Sequence, residues 1–196
     1  MINQIINIFK ALFFLKCWHR TLSNFFINLL PDFFLFSYGR TYVARLFGLK
    51  AGSKTMLRKS IYFGNCRNVS FGSRSIASRE AFFDGYDKIT VGSGVAIAFR
   101  VTFITSSHET GDSCLRAGKL VGKSIIIEDG VWIGAGSVIG PGVTIGRGSI
   151  VSAGSVVLRS MPDNSLIAGN PARVVMVLQK KSPEREEDLR TKAIGG

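Results

Sequence analysis

Two histidines, His19 and His108, are the only side chains of this 196-residue chain whose ordinary titration falls near neutral pH. His19 lies in an apolar, basic N-terminal stretch, whereas His108 opens a polar, glycine-punctuated one, ETGDSCLRAGKLVGKS, running from Glu109 to Ser124. A neutral imidazole with a pKa near ~6.5 is suited to general-base work, a contribution of typically ~10²–10⁴-fold. His108 is therefore the candidate base, beside the ordinary alternative of a structural histidine. The three cysteines, Cys17, Cys66 and Cys114, are odd in number and widely spaced. They form neither a disulfide framework nor a metal-ligand pattern, and read as reduced thiols packed as small hydrophobes.

The elements that would position such a base are signalled by glycine, of which there are 22. From residue 127 apolar residues recur every sixth position, at Ile127, Ile133, Ile139, Ile145, Val151 and Val157. Gly130, Gly136, Gly142, Gly148 and Gly154 hold the fourth place of consecutive hexads, and Gly134, Gly140 and Gly146 follow the apolar residue directly. The pattern predicts strands of two or three residues, each ending in a corner that tolerates φ > 0. Three such sides make a coil, and stacked coils run as parallel strands ~4.8 Å apart. The small fifth positions (Val131, Ser137, Val143, Ser149, Ser155) share the interior. The register extends upstream through Val91, Ile97 and Phe103, then Phe71, Ala77 and Phe83, then Leu57 and Phe63, with two-residue insertions near Val69 and Ile89. Residues 108–124 break the period and read as one long loop ejected from a coil, where function concentrates. An antiparallel meander would need two-residue alternation, which is absent. With 46% hydrophobic residues the chain is not disordered, and five prolines without a Gly-X-Y period exclude collagen.

The segments VTFITSSHE, GKSIIIEDGVWIGAGSVIGPGVTIGRGSIVSAGSVVLRSMP and AGNPARVV resemble the hexapeptide-repeat acyltransferases, over about residues 49–178. They are most similar to the galactoside/maltose O-acetyltransferase branch and to O-acetyltransferases of bacterial surface polysaccharides. The resemblance implies a mainly β fold, a left-handed parallel β-helix with an N-terminal amphipathic helical segment. It also implies a homotrimer that binds acetyl-CoA in the grooves between neighbouring subunits, direct acetyl transfer to a carbohydrate hydroxyl without an acyl-enzyme, and no metal. His108 matches the family's base. Asp84, in FFDGY, matches a carboxylate near the acceptor, and Glu109 stands where related enzymes carry an acid; each would bind acceptor or orient the ring, or be a solvated surface acid. Where the family places acceptor-binding asparagines this chain reads Ala77-Ser78-Arg79-Glu80, so the acceptor differs from a simple galactoside. Arg79 would meet an anionic sugar or a lipid diphosphate, or pair with a neighbouring acid. On the donor side Trp132 matches a tryptophan at the thioester end of the groove, or caps a coil. Ala135 and Ala153 match backbone contacts to the pantetheine arm, and N–H groups near Gly134 would hold the thioester oxygen. Arg159 and Arg173 match basic residues near the nucleotide phosphates. The family's next basic position is Met176 here, leaving Lys180 as a substitute. A carbonic-anhydrase-like zinc solenoid needs three histidines.

The net charge of +12 is concentrated in residues 1–60, which carry nine Lys/Arg against Asp32 alone, and nine of the fifteen phenylalanines. Ile2–His19 and Leu22–Leu30 read as amphipathic helices of a 1–48 segment. They lie on an anionic membrane surface through residues 1–45, or pack on the protein's own core or a partner subunit. Paired phenylalanines beside Leu and Ile fit lipid or a hydrophobic seam better than nucleic acid. The best apolar window, Thr21–Gly39, falls short of ~20 clean apolar residues, and the N-terminal stretch, interrupted by Lys10 and Lys16, does not read as a signal peptide. The expected location is cytoplasmic, peripheral on the inner face of the cytoplasmic membrane. The tail, residues 179–196, is charged and without an apolar stripe. Alternative functions are acetylation of a small amino-sugar or antibiotic acceptor, and a non-enzymatic β-helix scaffold.

Overall fold

The computed structural model describes residues 18–31 and 34–179. Most of the expected first helix, Cys17, and the tail from Lys180 onward lie outside the described residues.

The six-residue period becomes a parallel β-solenoid of about six turns. The first coil is β1 (Lys50–Ala51), β2 (Met56–Leu57) and β3 (Tyr62–Phe63). The second is β4 (Val69–Phe71), β5 (Ile76–Ala77) and β6 (Phe82–Phe83), and the third β7 (Ile89–Val91), β8 (Ala96–Ile97) and β9 (Thr102–Phe103). A hairpin, β10 (Ser106–Thr110) and β11 (Ala117–Gly122), then interrupts the winding. The fourth coil is β12 (Ile125–Ile127), β13 (Trp132–Ile133) and β14 (Val138–Ile139), and the fifth β15 (Thr144–Ile145), β16 (Ile150–Val151) and β17 (Val156–Val157). Strands β18 (Ser165–Gly169) and β19 (Ala172–Val177) close the end as an antiparallel pair. Stacking yields three sheets: sheet 1 (β1-β4-β7-β12-β15), sheet 2 (β2-β5-β8-β13-β16-β18-β19) and sheet 3 (β3-β6-β9-β14-β17). The prism therefore has three corners, here named 1–2, 2–3 and 3–1.

The first-position residues Leu57, Phe63, Phe71, Ala77, Phe83, Val91, Ile97, Phe103, Ile127, Ile133, Ile139, Ile145, Val151 and Val157 are all buried. Phe63, Phe83 and Phe103 stack in register, with ring centroids 5.2 and 4.8 Å apart. The small fifth positions are buried too, and their hydroxyls satisfy corner carbonyls: Ser137 Oγ donates to Ser152 O at 3.0 Å and Ser149 Oγ to Pro162 O at 2.9 Å. The five fourth-place glycines from Gly130 to Gly154 have φ between +66° and +78°, the left-handed turn the period requires. The upstream insertions lengthen the coil: Lys50 pairs with Ser70 and Ser70 with Thr90, whereas Ile126 pairs with Thr144. They occupy corner 3–1, where Cys66–Asn68 form a short 3-10 turn.

Two helices cover the open N-terminal end, differing in part from the expectation. The first, α1, spans 18–29 within the described residues, joining Trp18–Arg20 to the expected Leu22–Leu30 segment. The second, α2 (Phe34–Leu46), was not expected. Both dock on the first coil. The Asn24 side chain both donates to Phe63 O (2.8 Å) and accepts from Phe63 N (2.9 Å), as a neighbouring strand would. Asn28 donates to Ile61 O, Thr41 to Thr55 O, and Arg45 to Ala51 O and Gly52 O. Ile27 and Ala44 are fully buried in the contact. His19 packs edge-on against Phe47, with ring centroids 5.5 Å apart. Burial first, and the Arg67 charge second, lower its pKa, so it belongs to this packing.

Candidate active site

The hairpin leaves corner 3–1 after the third coil, and its root is tied to the coil below. Asp84 occupies the same corner one coil earlier, its N–H donating to Phe103 O at 3.1 Å. Its Oδ2 accepts from the N–H of Thr105 (2.8 Å), the N–H of Ser106 (2.9 Å) and the Ser106 hydroxyl (2.9 Å). Oδ1 accepts from the Thr105 hydroxyl and from Tyr86 N–H. Burial alone would raise the Asp84 pKa, but the hydrogen bonds from Thr105 and Ser106 outweigh it and hold the carboxyl below its ordinary value.

Two residues beyond that root stands His108, exposed, with its Cα opposite Leu120 in the antiparallel ladder. Its Nδ1 lies 2.8 Å from the carbonyl oxygen of Gly118 on the facing strand. A carbonyl can only accept, so Nδ1 is the donor in this contact, and in the neutral ring the lone pair is on Nε2. The sequence suggested a carboxylate as orienting group; the structure supplies a main-chain carbonyl instead. Asp84 is committed to the hairpin root, and the exposed Glu109 makes no side-chain hydrogen bond or ion pair among the described residues. Cys114 is exposed in the hairpin's connecting loop, so of the two described thiols only Cys66 packs in the core, with burial pushing its pKa up to about 11.

The donor-side residues gather elsewhere. Trp132 is 54% exposed on sheet 2, paired between Ala96 and Ile150. Gly134 begins corner 2–3, where a β-carbon would meet Ala153 N at 2.5 Å; its own N–H is committed to Val151 O at 2.7 Å. Of the Gly134, Ala135 and Gly136 N–H groups, that of Ala135 has no acceptor among the described residues, since Gly136 N–H donates to Phe99 O. The Ala153 N–H, one coil on, is likewise without an acceptor among the described residues. Arg173 is exposed on β19, donating to Ala172 O at 2.8 Å, and Met176 shares that strand. Arg159, also exposed, stands after β17 at corner 3–1. The expected set thus divides: His108, Glu109, Asp84 and Arg159 at corner 3–1, and Trp132, Gly134, Ala135, Ala153 and Arg173 on sheet 2 and corner 2–3.

Arg79 lies at corner 2–3 as well, lining a cavity of about 550 Å³ with Arg58, Ile76, Ser78, Glu80, Phe99 and Arg100. Arg58, Phe99 and Arg100 carried no signal in the sequence beyond sharing one place in successive coils. Among the described residues no group of three or more His, Cys, Asp or Glu side chains is placed to hold a metal ion.

A six-residue solenoid with a histidine-bearing hairpin and an exposed tryptophan defines a class, that of the hexapeptide-repeat transferases. The family described as bacterial transferase hexapeptide (six repeats) matches residues 124–159. A Dictyostelium discoideum protein that carries the name acetyltransferase is 36% identical over 138 residues, 70% of this chain and 72% of its own length. A hexapeptide-repeat acetyltransferase of Vibrio cholerae O1 biovar eltor, solved in complex with acetyl-coenzyme A, superposes with a TM-score of 0.74 at 30% identity, covering 83% of this chain and 86% of that one. A galactoside acetyltransferase solved with coenzyme A gives a TM-score of 0.76 at 26% identity, over 88% and 83% of the two chains. The chain belongs to the hexapeptide-repeat acetyltransferases.

Proposed function

We propose that the protein is an acetyl-CoA-dependent O-acetyltransferase acting on a sugar hydroxyl of a bacterial surface polysaccharide or its lipid-linked precursor, with His108 as general base. The observation that carries this reading is the Nδ1 contact to Gly118 O, which leaves Nε2 free on an exposed ring. The acceptor hydroxyl gives its proton to Nε2 while its oxygen attacks the thioester carbonyl. The C–S bond breaks as the C–O bond forms, and the departing thiolate recovers the proton from His108. The Ala135 N–H supports the oxyanion role, and Trp132, Ala153, Arg159 and Arg173 are the residues for the coenzyme.

Division of these residues between two corners supports a composite site, in which corner 3–1 of one copy lies against sheet 2 of another. A closed three-fold ring completes every such site at once. His108→Ala should lower coenzyme A release, measured with a thiol reagent, by ~10²–10⁴-fold; residual activity above about a tenth of wild type removes His108 as the base. Mixed His108→Ala and Trp132→Ala subunits should regain activity that neither shows alone, and no regain refutes the shared site.

Membrane contact is supported by the outer face of the N-terminal helices. Trp18, Phe25, Phe26, Leu29, Phe36, Tyr42 and Leu46 are exposed there, beside Arg20 and Arg45. No helix among the described residues is long and apolar enough to cross a membrane. Co-sedimentation with anionic phospholipid vesicles should be lost in the Phe25→Ser/Leu29→Ser/Leu46→Ser variant; unchanged binding sinks the membrane reading.

A further inference from the structure

Corner 2–3 changes character along the solenoid axis. Strand register equates Leu57, Ala77, Ile97, Ile133 and Val151, so the residues that follow each occupy the same place in successive coils. In coils four and five that place is nearly bare: Gly134-Ala135-Gly136 and Ser152-Ala153-Gly154. In coil three it reads Ala98-Phe99-Arg100, which puts a phenylalanine in the column of Ala135 and Ala153. The backbone here is tied to both neighbouring coils. Phe99 O accepts from Gly136 N–H at 3.0 Å in the coil above, and Arg100 N–H donates to Arg79 O at 3.0 Å in the coil below. The Phe99 ring itself is 58% exposed. A rigid aromatic side chain is thus presented on a firmly held corner.

That ring lines the cavity of about 550 Å³, within the ~300–1,000 Å³ range of small-molecule sites. Ile76 extends its apolar wall, and Ser78 and Glu80 border the wall one coil below. Glu80 Oε2 pairs with Arg100 Nε at 2.8 Å, so those two charges answer each other. Arg58 and Arg79, each with an interaction partner already, complete the enclosure. An apolar face bordered by polar groups is the complement of a pyranose ring, which has a face of C–H bonds and a rim of hydroxyls. Position along the axis assigns the cavity a role. The His108 hairpin departs between coils three and four, which sets the level of the reacting atoms. Phe99 lies one coil spacing, ~4.8 Å, below Ala135 and its unclaimed N–H. Trp132, Ala153 and Arg173, the coenzyme residues of this corner and sheet, lie at or above that level, so the space beneath is left to the acceptor.

We propose that Phe99 is the platform on which the acceptor's pyranose ring stacks, C–H face against aromatic face, with Ser78 and Glu80 accepting from its hydroxyls. The proposal rests on the acetyltransferase reading above and narrows its substrate class to a sugar with an unbroken C–H face. An aromatic ring with two side-chain torsions offers large apolar area at low entropic cost. A sugar seated on it lies one coil below the level at which its hydroxyl must meet the thioester. Recognition by stacking draws on no charge in the cavity wall.

Saturation-transfer NMR on the full chain with coenzyme A present tests this, using methyl pyranosides of galactose, glucose, mannose and N-acetylglucosamine. Each is matched with its open-chain alditol, which keeps the hydroxyls but has no rigid C–H face. At least one pyranoside should bind about five times tighter than its alditol or better, with saturation strongest on the C–H protons of one face. Phe99→Ala and Phe99→Leu should each weaken that binding about tenfold, the worth of a stacking contact. Phe99→Tyr, which keeps the ring, should retain it. No preference for any pyranoside overturns the proposal, as does a loss below about threefold in the Ala or Leu variant, or an equal loss in the Tyr variant. A Phe99→Ala protein that leaves the wild-type oligomeric state on gel filtration also overturns it, by making Phe99 a subunit contact. Wild-type protein that takes up no coenzyme A, read in a separate titration, sinks the acetyltransferase reading instead.

Discussion

Asp84→Asn offers the sharpest test of how the hairpin is held. In the wild type three donors converge on Oδ2, namely Thr105 N, Ser106 N and the Ser106 hydroxyl, while the Thr105 hydroxyl and Tyr86 N–H share Oδ1. Asparagine keeps one carbonyl oxygen, best turned toward the Oδ2 group, and places an NH₂ opposite Tyr86 N–H. Three charge-assisted bonds become neutral ones, and both Oδ1 donors, the Thr105 hydroxyl and Tyr86 N–H, lose that acceptor. Bonds to charged groups are worth ~1.5–3 kcal/mol against ~0.5–1.5 for neutral ones. Because the carboxyl is partly exposed and water replaces part of the loss, the net weakening of the root is about 1–2 kcal/mol. His108 stands two residues beyond that root, so kcat should fall about tenfold, with the acetyl-CoA KM little changed. In thermal melts a chain of this size should lose roughly 2–6 °C. The pH dependence has a defined sign. A carboxyl whose folded pKa is depressed stabilises the fold above its unfolded pKa, and that stability is lost as pH falls through the folded value. Wild type should therefore lose stability more steeply than the variant below ~pH 4. The resemblance alone implies a different result, in which Asp84 touches the acceptor and the variant raises acceptor KM with kcat retained. That outcome, or a kcat within twofold of wild type, refutes the anchoring argument.

Other substitutions probe the scaffold. Gly134→Ala forces a β-carbon to 2.5 Å from Ala153 N, a backbone atom that cannot swing aside, and should cost ~1–3 kcal/mol. Gly136→Ala meets nothing within 4 Å but holds φ at +68°, a cost of ~1–2 kcal/mol; melting temperatures should fall in both, and an unchanged value in either contradicts the packing or the turn. Phe83→Ala removes the middle ring of the Phe63-Phe83-Phe103 stack and should cost ~3–5 kcal/mol, read as a collapse of the melting transition. Of the described thiols, only Cys114 should react with iodoacetamide in the native protein at mild alkaline pH, since Cys66 is buried with its pKa near 11; equal labelling by peptide mass mapping contradicts the placement.

The solenoid was legible because glycine answers to the backbone. At Gly130, Gly136, Gly142, Gly148 and Gly154 the left-handed turn selects the residue whatever surrounds it. Upstream the same conformation is filled by Lys54, Ser60, Arg74, Glu80 and Arg100, so the register faded there although the geometry continues. Scarcity singled out His108 as the candidate base, but the orientation of its ring could not be read. Its partner is a carbonyl that any residue would supply, and only the hairpin register, which shifts between His108 and Thr110, brings Gly118 opposite. The Asp84 anchor was hidden for a related reason. Its donors lie 21 and 22 residues ahead, a separation that becomes a contact only when a coil of the right length closes between them.

The N-terminal helices show where hydrophobic periodicity misleads. In α1 the side chains turned toward the solenoid include Ser23, Asn24 and Asn28 around a single buried Ile27, while Trp18, Phe25 and Leu29 are exposed. The usual inference, that the apolar stripe marks the core side, inverts here because the surface being covered is the edge of the first coil. Its backbone N–H and C=O groups need hydrogen-bonding partners before they need apolar contact. Two asparagines at i and i+4 provide that ladder, through Phe63 and Ile61. The outward apolar face is then left over from docking, the reverse of an amphipathic helix awaiting a core. Deleting the helices would uncover β1 to β3 and damage the scaffold whatever the outer face does. The membrane question is therefore decided by substitutions confined to Phe25, Leu29 and Leu46, which leave Asn24, Asn28 and Ile27 in place.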